Sequence, residues 1–287
     1  MYIFNAILRL EYWPKSLKMA QIIMMPKPGK NPMGVSSYRP ISLLQTISKV
    51  LENLYQKKIN KDLNPQDWIP NHQFGIQQAH STVQQCHCIT DIINKAMENQ
   101  QYCTAAFLDV SQAFDKVWHP GLLFKIKKNL ILKLFQPAEI ILKWTPIRTK
   151  FNAETSSHCH IHSGVPQGSI LGPLLDVLYT SDLPPPRETT LGTFSDNTAI
   201  FATHEDPTIV PLNLQEHLHI IKKWLKKWKI KVNESKSWHI MFTLQKGHCP
   251  AVNINQTIIT QTEAVKYPGL HFGCRLNWKE DIARNRK

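Results

Sequence analysis

The sequence predicts an α+β fold with an antiparallel sheet backed by helices, and three ordered segments carry that prediction. The first is Phe107-Leu108-Asp109-Val110-Ser111-Gln112-Ala113-Phe114-Asp115, where an apolar strand ends on an acid. The second is Ser163-Gly164-Val165-Pro166-Gln167-Gly168-Ser169, a turn that opens a helix. The third is Thr193-Phe194-Ser195-Asp196-Asn197-Thr198-Ala199, an acid at a hairpin tip between two apolar runs.

The remaining elements follow in order. Met1 to Leu10 reads as an amphipathic helix, and Met19 to Met25 as a short apolar strand. Pro26-Lys27-Pro28-Gly29-Lys30-Asn31-Pro32 ends that strand in a basic loop, because Pro and Gly cannot continue it. Ile47, Val50, Leu51, Leu54 and Ile59 share helical spacing and predict a helix from about Leu43 to Leu63 with those residues on its apolar face. A further helix covers about Thr82 to Met97. Tyr102 to Leu108 has the length and apolar character of a strand buried on both faces, with Asp109 at its end. Pro120 opens the next helix; a helical pattern continues from Leu134 to Trp144, and a polar, His-rich strand precedes Gly164.

From Ser169, residues Ile170, Leu171, Leu174, Leu175 and Leu178 predict a helix that Pro184-Pro185-Pro186 stops. Thr189 to Phe194 and Thr198 to Thr203 flank Ser195-Asp196-Asn197, residues that tolerate the positive φ of a tight hairpin. Leu214, Leu218, Ile221, Leu225 and Trp228 predict a long amphipathic helix. Its other face carries Lys222, Lys223, Lys226, Lys227 and Lys229, which are either solvated or meet phosphate. Strand-like runs at Trp238 to Leu244, Ile254 to Ile259 and Tyr267 to Phe272 close the chain.

With 287 residues, 42% of them apolar, the chain can form one large domain or two smaller ones. A formal charge of +13 points to a polyanionic partner. The six cysteines show no disulfide framework, so reduced thiols in an intracellular compartment, nucleus or cytoplasm, are expected in place of secretion. Cys86-His87-Cys88 and His158-Cys159-His160-Ile161-His162 lack the paired ligand spacing of a zinc site. No apolar run approaches the ~18 residues that span a bilayer, so no membrane partner is expected. The first residues lack the basic region and cleavage site of a signal peptide.

The chemistry follows from the two acids. Brought together from separate strands beside a nucleotide-sized gap, Asp109 and Asp196 can share Mg²⁺ ions, with Mn²⁺ as an alternative, and drive phosphoryl transfer. The order of strand acid, turn and hairpin acid is that of a polymerase palm.

At this level of detail the sequence resembles the reverse transcriptase domain of non-LTR retrotransposons, close to the jockey group. The resemblance runs nearly end to end. Trp13-Pro14-Lys15-Ser16, Lys27-Pro28-Gly29-Lys30, Tyr38-Arg39-Pro40-Ile41-Ser42 and Lys49-Val50-Leu51-Glu52 are similar to the family's fingers, followed by His72-Gln73-Phe74-Gly75 and His80-Ser81-Thr82. The three palm segments, Lys229 to Lys236, and Tyr267-Pro268-Gly269-Leu270 complete it.

The resemblance implies a right-hand polymerase: a fingers-like region over 1–100, a palm over 101–245, and a primer-grip end over 246–287 with the thumb largely absent. It implies Asp109 and Asp196 as catalytic metal ligands and Lys236 as the proton donor to leaving pyrophosphate. Val110 and Ser111 would offer N–H groups to the triphosphate, Phe114 would exclude a ribose 2′-hydroxyl, and Gln167 and Arg39 would contact the nucleotide. Lys27, Lys30 and Gly269 would meet template or primer. An RNA template, a DNA primer and dNTPs are the implied partners.

Four positions depart from the family pattern. Asn197 stands where the second hairpin Asp is expected, Gln77 where Arg is usual, Asp176 where an apolar or amide residue is, and Pro268 where Leu is. The function expected is therefore an RNA-directed DNA polymerase, impaired or intact, against a non-catalytic nucleic-acid-binding remnant of a retroelement. A group II intron maturase or telomerase-like polymerase shares the palm but ranks below both.

Overall fold

The computed structural model describes the chain apart from residues 1, 11, 63–68, 71, 75–80, 111–113, 129–134, 136–137, 141, 143–145, 186, 195–196, 246–248, 268 and 286–287. In chain order the described helices are α1 (Tyr2–Leu10), α2 (Lys15–Lys18), α3 (Thr46–Asp62), α4 (Thr82–Glu98), α5 (His119–Lys128), α6 (Gly172–Thr180), α7 (Ile209–Lys227) and α8 (Lys279–Asn285). The strands are β1 (Ala20–Pro26), β2 (Tyr38–Leu44), β3 (Tyr102–Asp109), β4 (Pro146–Phe151), β5 (Glu154–Thr155), β6 (Cys159–His160), β7 (Thr189–Phe194), β8 (Asn197–His204), β9 (Trp238–Phe242), β10 (Asn253–Ile254), β11 (Thr257–Ile258), β12 (Thr260–Gln261), β13 (Ala264–Tyr267) and β14 (Leu270–Gly273). No described helix is long and apolar enough to cross a membrane.

The chain forms two compact units, each discontinuous in sequence: Met1–Ile69 with Gln112–Ser181, and Pro70–Ser111 with Asp182–Lys287. The first unit holds a sheet in the order β2-β1-β4-β5, with β6 also on β4. Strands β1 and β2 run antiparallel from Ala20↔Leu44 to Pro26↔Tyr38. β2 is a strand that the sequence pattern did not announce, because Pro40 lowers its apparent propensity. Leu43 therefore belongs to β2, and α3 begins at Thr46.

The expected face of α3 is also corrected. Leu51, Tyr55 and Ile59 are buried with Ser48 and Glu52, whereas Ile47, Val50 and Leu54 are exposed. Polar anchors chose the face: the Ser48 hydroxyl donates to the Leu17 carbonyl, and Glu52 accepts from the Ser169 hydroxyl at 3.0 Å and the Ile170 N–H at 2.7 Å. Helix α6 starts at Gly172 and not at Ser169: the Ser169 Oγ accepts from the N–H groups of Leu171 and Gly172 in a turn ahead of the helix, whose N-cap is Leu171. The helical pattern from Leu134 to Trp144 lies largely outside the described residues.

The second unit is built on a sheet in the order β12-β9-β3-β8-β7, antiparallel throughout except where β12 meets β9. β3 is central and buried from Tyr102 to Leu108. Side chains alternate across it. Cys103, Ala105 and Phe107 join Ala199, Phe201, Ile240 and Phe242 under Cys86, Ile89 and Ile93 of α4 and Val265, Tyr267 and Phe272 of the β13–β14 hairpin. α7 packs against β3, β7 and β8 on the other face, through Leu214, Leu218, Ile221 and Leu225.

Candidate active site

In the second unit the strand register decides the site. Asp109 is the last residue of β3, and its partner across the antiparallel ladder is Asn197, the first residue of β8. Cross-strand partners share a face, so these two side chains project from the α4 side of the sheet with Phe107 and Ala199 below them. Phe194 and Asn197 pair across β7 and β8, so Asn197 is a strand residue and not part of the hairpin tip. Asp196 and Ser111 lie outside the described residues.

A turn clasps the strand end that carries Asp109. The Asn233 N–H donates to the Asp109 carbonyl at 2.8 Å; the Asp109 N–H donates to Ser237 Oγ at 3.3 Å; and the Ser237 hydroxyl donates to the Asn233 carbonyl at 2.9 Å. Lys236 sits in the 3₁₀ turn between them, its side chain exposed. Val110 bridges to Val232, which extends the same clasp. Ser237, fully buried, is the polar residue that sequence reading passed over.

The hairpin opposite is braced too. The Thr193 N–H donates to the His72 carbonyl and the Phe74 N–H to the Thr193 carbonyl, so the His72-Gln73-Phe74 motif runs along the outer edge of β7. Tyr267 packs its ring 5.0 Å from that of Phe107. Gly269, at φ +93 in the β13–β14 turn, has open space where a side chain would stand.

The first unit holds Lys27, Lys30, Arg39, Phe114 and Gln167. The Gln167 amide donates to Asp115 Oδ1 at 3.2 Å, and the Gln167 carbonyl accepts from the Ser42 N–H at 2.7 Å. Gly168 has φ +114, and a Cβ there would lie 2.5 Å from the Ser42 carbonyl oxygen. The Pro-Gln-Gly turn is thus tied to β2, which only glycine allows. Burial pushes the Asp115 carboxyl above the ordinary carboxylate range, against the Gln167 hydrogen bond and the charges of Lys27 and Lys116. Burial likewise raises Glu52, against its bonds to Ile170 and Ser169. Phe114 lies in a short 3₁₀ turn, partly exposed, its carbonyl accepting from the Val165 N–H. Arg39 and Lys30 are exposed. Asp115 and Glu52 were within quoted motifs, but only the packing shows their use.

Among the described residues no three His, Cys, Asp or Glu side chains are grouped to hold a metal ion. Mg²⁺ asks for less, one or two carboxylates with substrate phosphates completing the shell. Asp109, at a partly exposed strand end, fits that demand, and Asn197 adds an oxygen without charge.

The family model for reverse transcriptase (RNA-dependent DNA polymerase) matches residues 25–272. The chain belongs to this family. Among relatives, the RNA-directed DNA polymerase from mobile element jockey of Drosophila melanogaster is 35% identical over 98% of this chain and 31% of its own length. The probable RNA-directed DNA polymerase from transposon BS of the same fly is 38% identical over 96% of the chain and 32% of its own length. The chain thus spans about a third of the relatives it matches. Telomerase from Candida tropicalis in complex with a fragment of telomeric RNA superimposes with a TM-score of 0.62 at 15% identity, over 93% of this chain and 45% of that one. The apo form truncated from its C-terminal domain gives 0.59 at 13%, over 96% and 58%. Those likenesses establish the reverse transcriptase fold, and the jockey-like reading of the sequence is borne out.

Proposed function

We propose that this reverse transcriptase chain copies an RNA template into DNA by adding dNTPs to a primer 3′-hydroxyl. The observation that supports the reading is the register Asp109↔Asn197, an acid at a clasped strand end opposite the residue that follows Asp196 in the sequence. Asp109 and Asp196 would hold Mg²⁺, or Mn²⁺; bound there, the ions would activate the 3′-hydroxyl and neutralise charge on the transferring phosphate.

The chain's own groups divide the remaining work. Val110 and Ser111 direct N–H groups to the triphosphate, and Arg39 pairs with its oxygens through a planar fork. Phe114 excludes a 2′-hydroxyl, and Gln167, pinned by Asp115 and Ser42, contacts nucleotide and template. Lys236 gives a proton to departing pyrophosphate. Lys27 and Lys30 bind template and Gly269 lets primer backbone approach. On this reading 1–100 is fingers-like, 101–245 palm and 246–287 the primer-grip end.

The test is primer extension on RNA with purified protein, in Mg²⁺ and in Mn²⁺. Asp109→Asn should abolish extension while leaving the denaturation midpoint nearly unchanged; equal rates in both proteins would refute the assignment. Asn197 favours a second reading, a nucleic-acid-binding remnant, which predicts salt-sensitive RNA binding with no extension by either protein.

A further inference from the structure

One hydroxyl lies against both strands of the hairpin that faces Asp109. Tyr267 Oη donates to the Gly192 carbonyl of β7 at 3.4 Å and lies at the same distance from the Asn197 carbonyl of β8. It in turn accepts from Gln85 Nε2 at 3.4 Å. All four residues are within the second unit. Gln85 and Tyr267 are almost wholly buried, so the network works without competing water.

The surrounding sequence prepares this arrangement. Ser81 and Gln84 form a reciprocal capping box that fixes the start of α4, and Gln85 is the next residue. Gly192 has no special backbone angle, yet a Cβ there would lie 2.7 Å from Gln85 Nε2. A side chain there would have to displace the Gln85 amide from Tyr267. β7 ends its sheet, and the His72–Phe74 segment braces it at Thr193; Tyr267 adds a second hold at the neighbouring Gly192.

We propose that Gln85 and Tyr267 are positioning residues for nucleotide addition, fixing the backbone at Gly192 and Asn197 so that residue 197 stays opposite Asp109. This rests on the polymerase reading of Asp109. Neither side chain touches the reacting groups; they act through the hairpin backbone.

The test uses Tyr267→Phe, Gln85→Met and the double variant in primer extension and in hydrogen exchange. Each single variant should lower kcat by about tenfold with dNTP KM within twofold, since small displacements of reacting groups are costly. The double variant should lose little more than either single, because both break one chain of bonds. Exchange at Thr193, Phe194 and Thr198 should quicken, while that of Leu214 to Leu225 stays unchanged. Unchanged kcat, or additive losses with unchanged exchange, overturns the proposal. If wild type shows no extension, the polymerase reading fails, and exchange alone decides whether the hairpin is held by these residues.

Discussion

At the scale of single residues, Asn197 is the substitution with the most chemistry at stake. Directly opposite Asp109 on one face of the sheet, an amide there avoids the repulsion that two carboxylates at cross-strand positions suffer. It also removes a charge that would attract a divalent cation. Asn197→Asp therefore has two expected effects of opposite sign. Without metal the variant should be less stable by about 0.5 kcal/mol, as for like charges across a ladder. With Mg²⁺ its extension rate should rise at least tenfold, about 1.4 kcal/mol of barrier. Paired urea melts with and without Mg²⁺, and primer extension, measure both. A reversion that changes neither would mean residue 197 is remote from the metal.

At the scale of elements, α7 poses the clearest alternative. Between Glu216 and Glu234 the chain carries six lysines and no acid. Lys223, Lys226 and Lys227 are exposed, and the helix packs on the sheet face opposite Asp109. Lysines at a helix C-terminus are favoured by the dipole alone, so their presence does not require phosphate. Changing Lys222, Lys223, Lys226 and Lys227 to Gln separates the readings. If the strip meets RNA, the log–log salt dependence of RNA binding should flatten by about three to four charges. An identical slope returns the strip to solvent. The Pro166-Gln167-Gly168 turn shows how firmly another element is specified: the positive φ of Gly168 and its contact with Ser42 leave no room for any other residue.

At the scale of the whole molecule, buried histidines set the response to acid. Burial holds His72, His119 and His217 below the ordinary imidazole range, and His239, fully buried against Thr104, down to about 4. Unfolded imidazoles titrate near 6.5. Their stabilisation is therefore complete above that value and lost as pH falls through the folded values, with His239 alone contributing up to about 3 kcal/mol. Glu52 and Asp115, raised by burial, act oppositely, adding stability as they protonate. The net urea midpoint should fall between pH 7.5 and 4.5, and His239→Gln should shrink that fall. An equal fall in the variant would show that His239 does not drive it.

The sequence by itself determined the identity of the family, the strand that ends on Asp109, the turn at Gln167, the long helix at Ile209–Lys227 and the motif that proves to edge β7. Those features are local: each follows from side-chain period, from glycine and proline geometry, or from an unbroken motif. What tertiary structure alone decided is pairing. Strand β2 with its Pro40, the buried face of α3, the bond of Ser169 to Glu52 and the seat of Asn197 opposite Asp109 all depend on partners distant in the chain. The bonds of Gln85 to Tyr267 and of Tyr267 to the hairpin join positions 70 or more residues apart. A buried polar group must find its partner wherever the fold brings one, and no short-range pattern in the sequence records that choice.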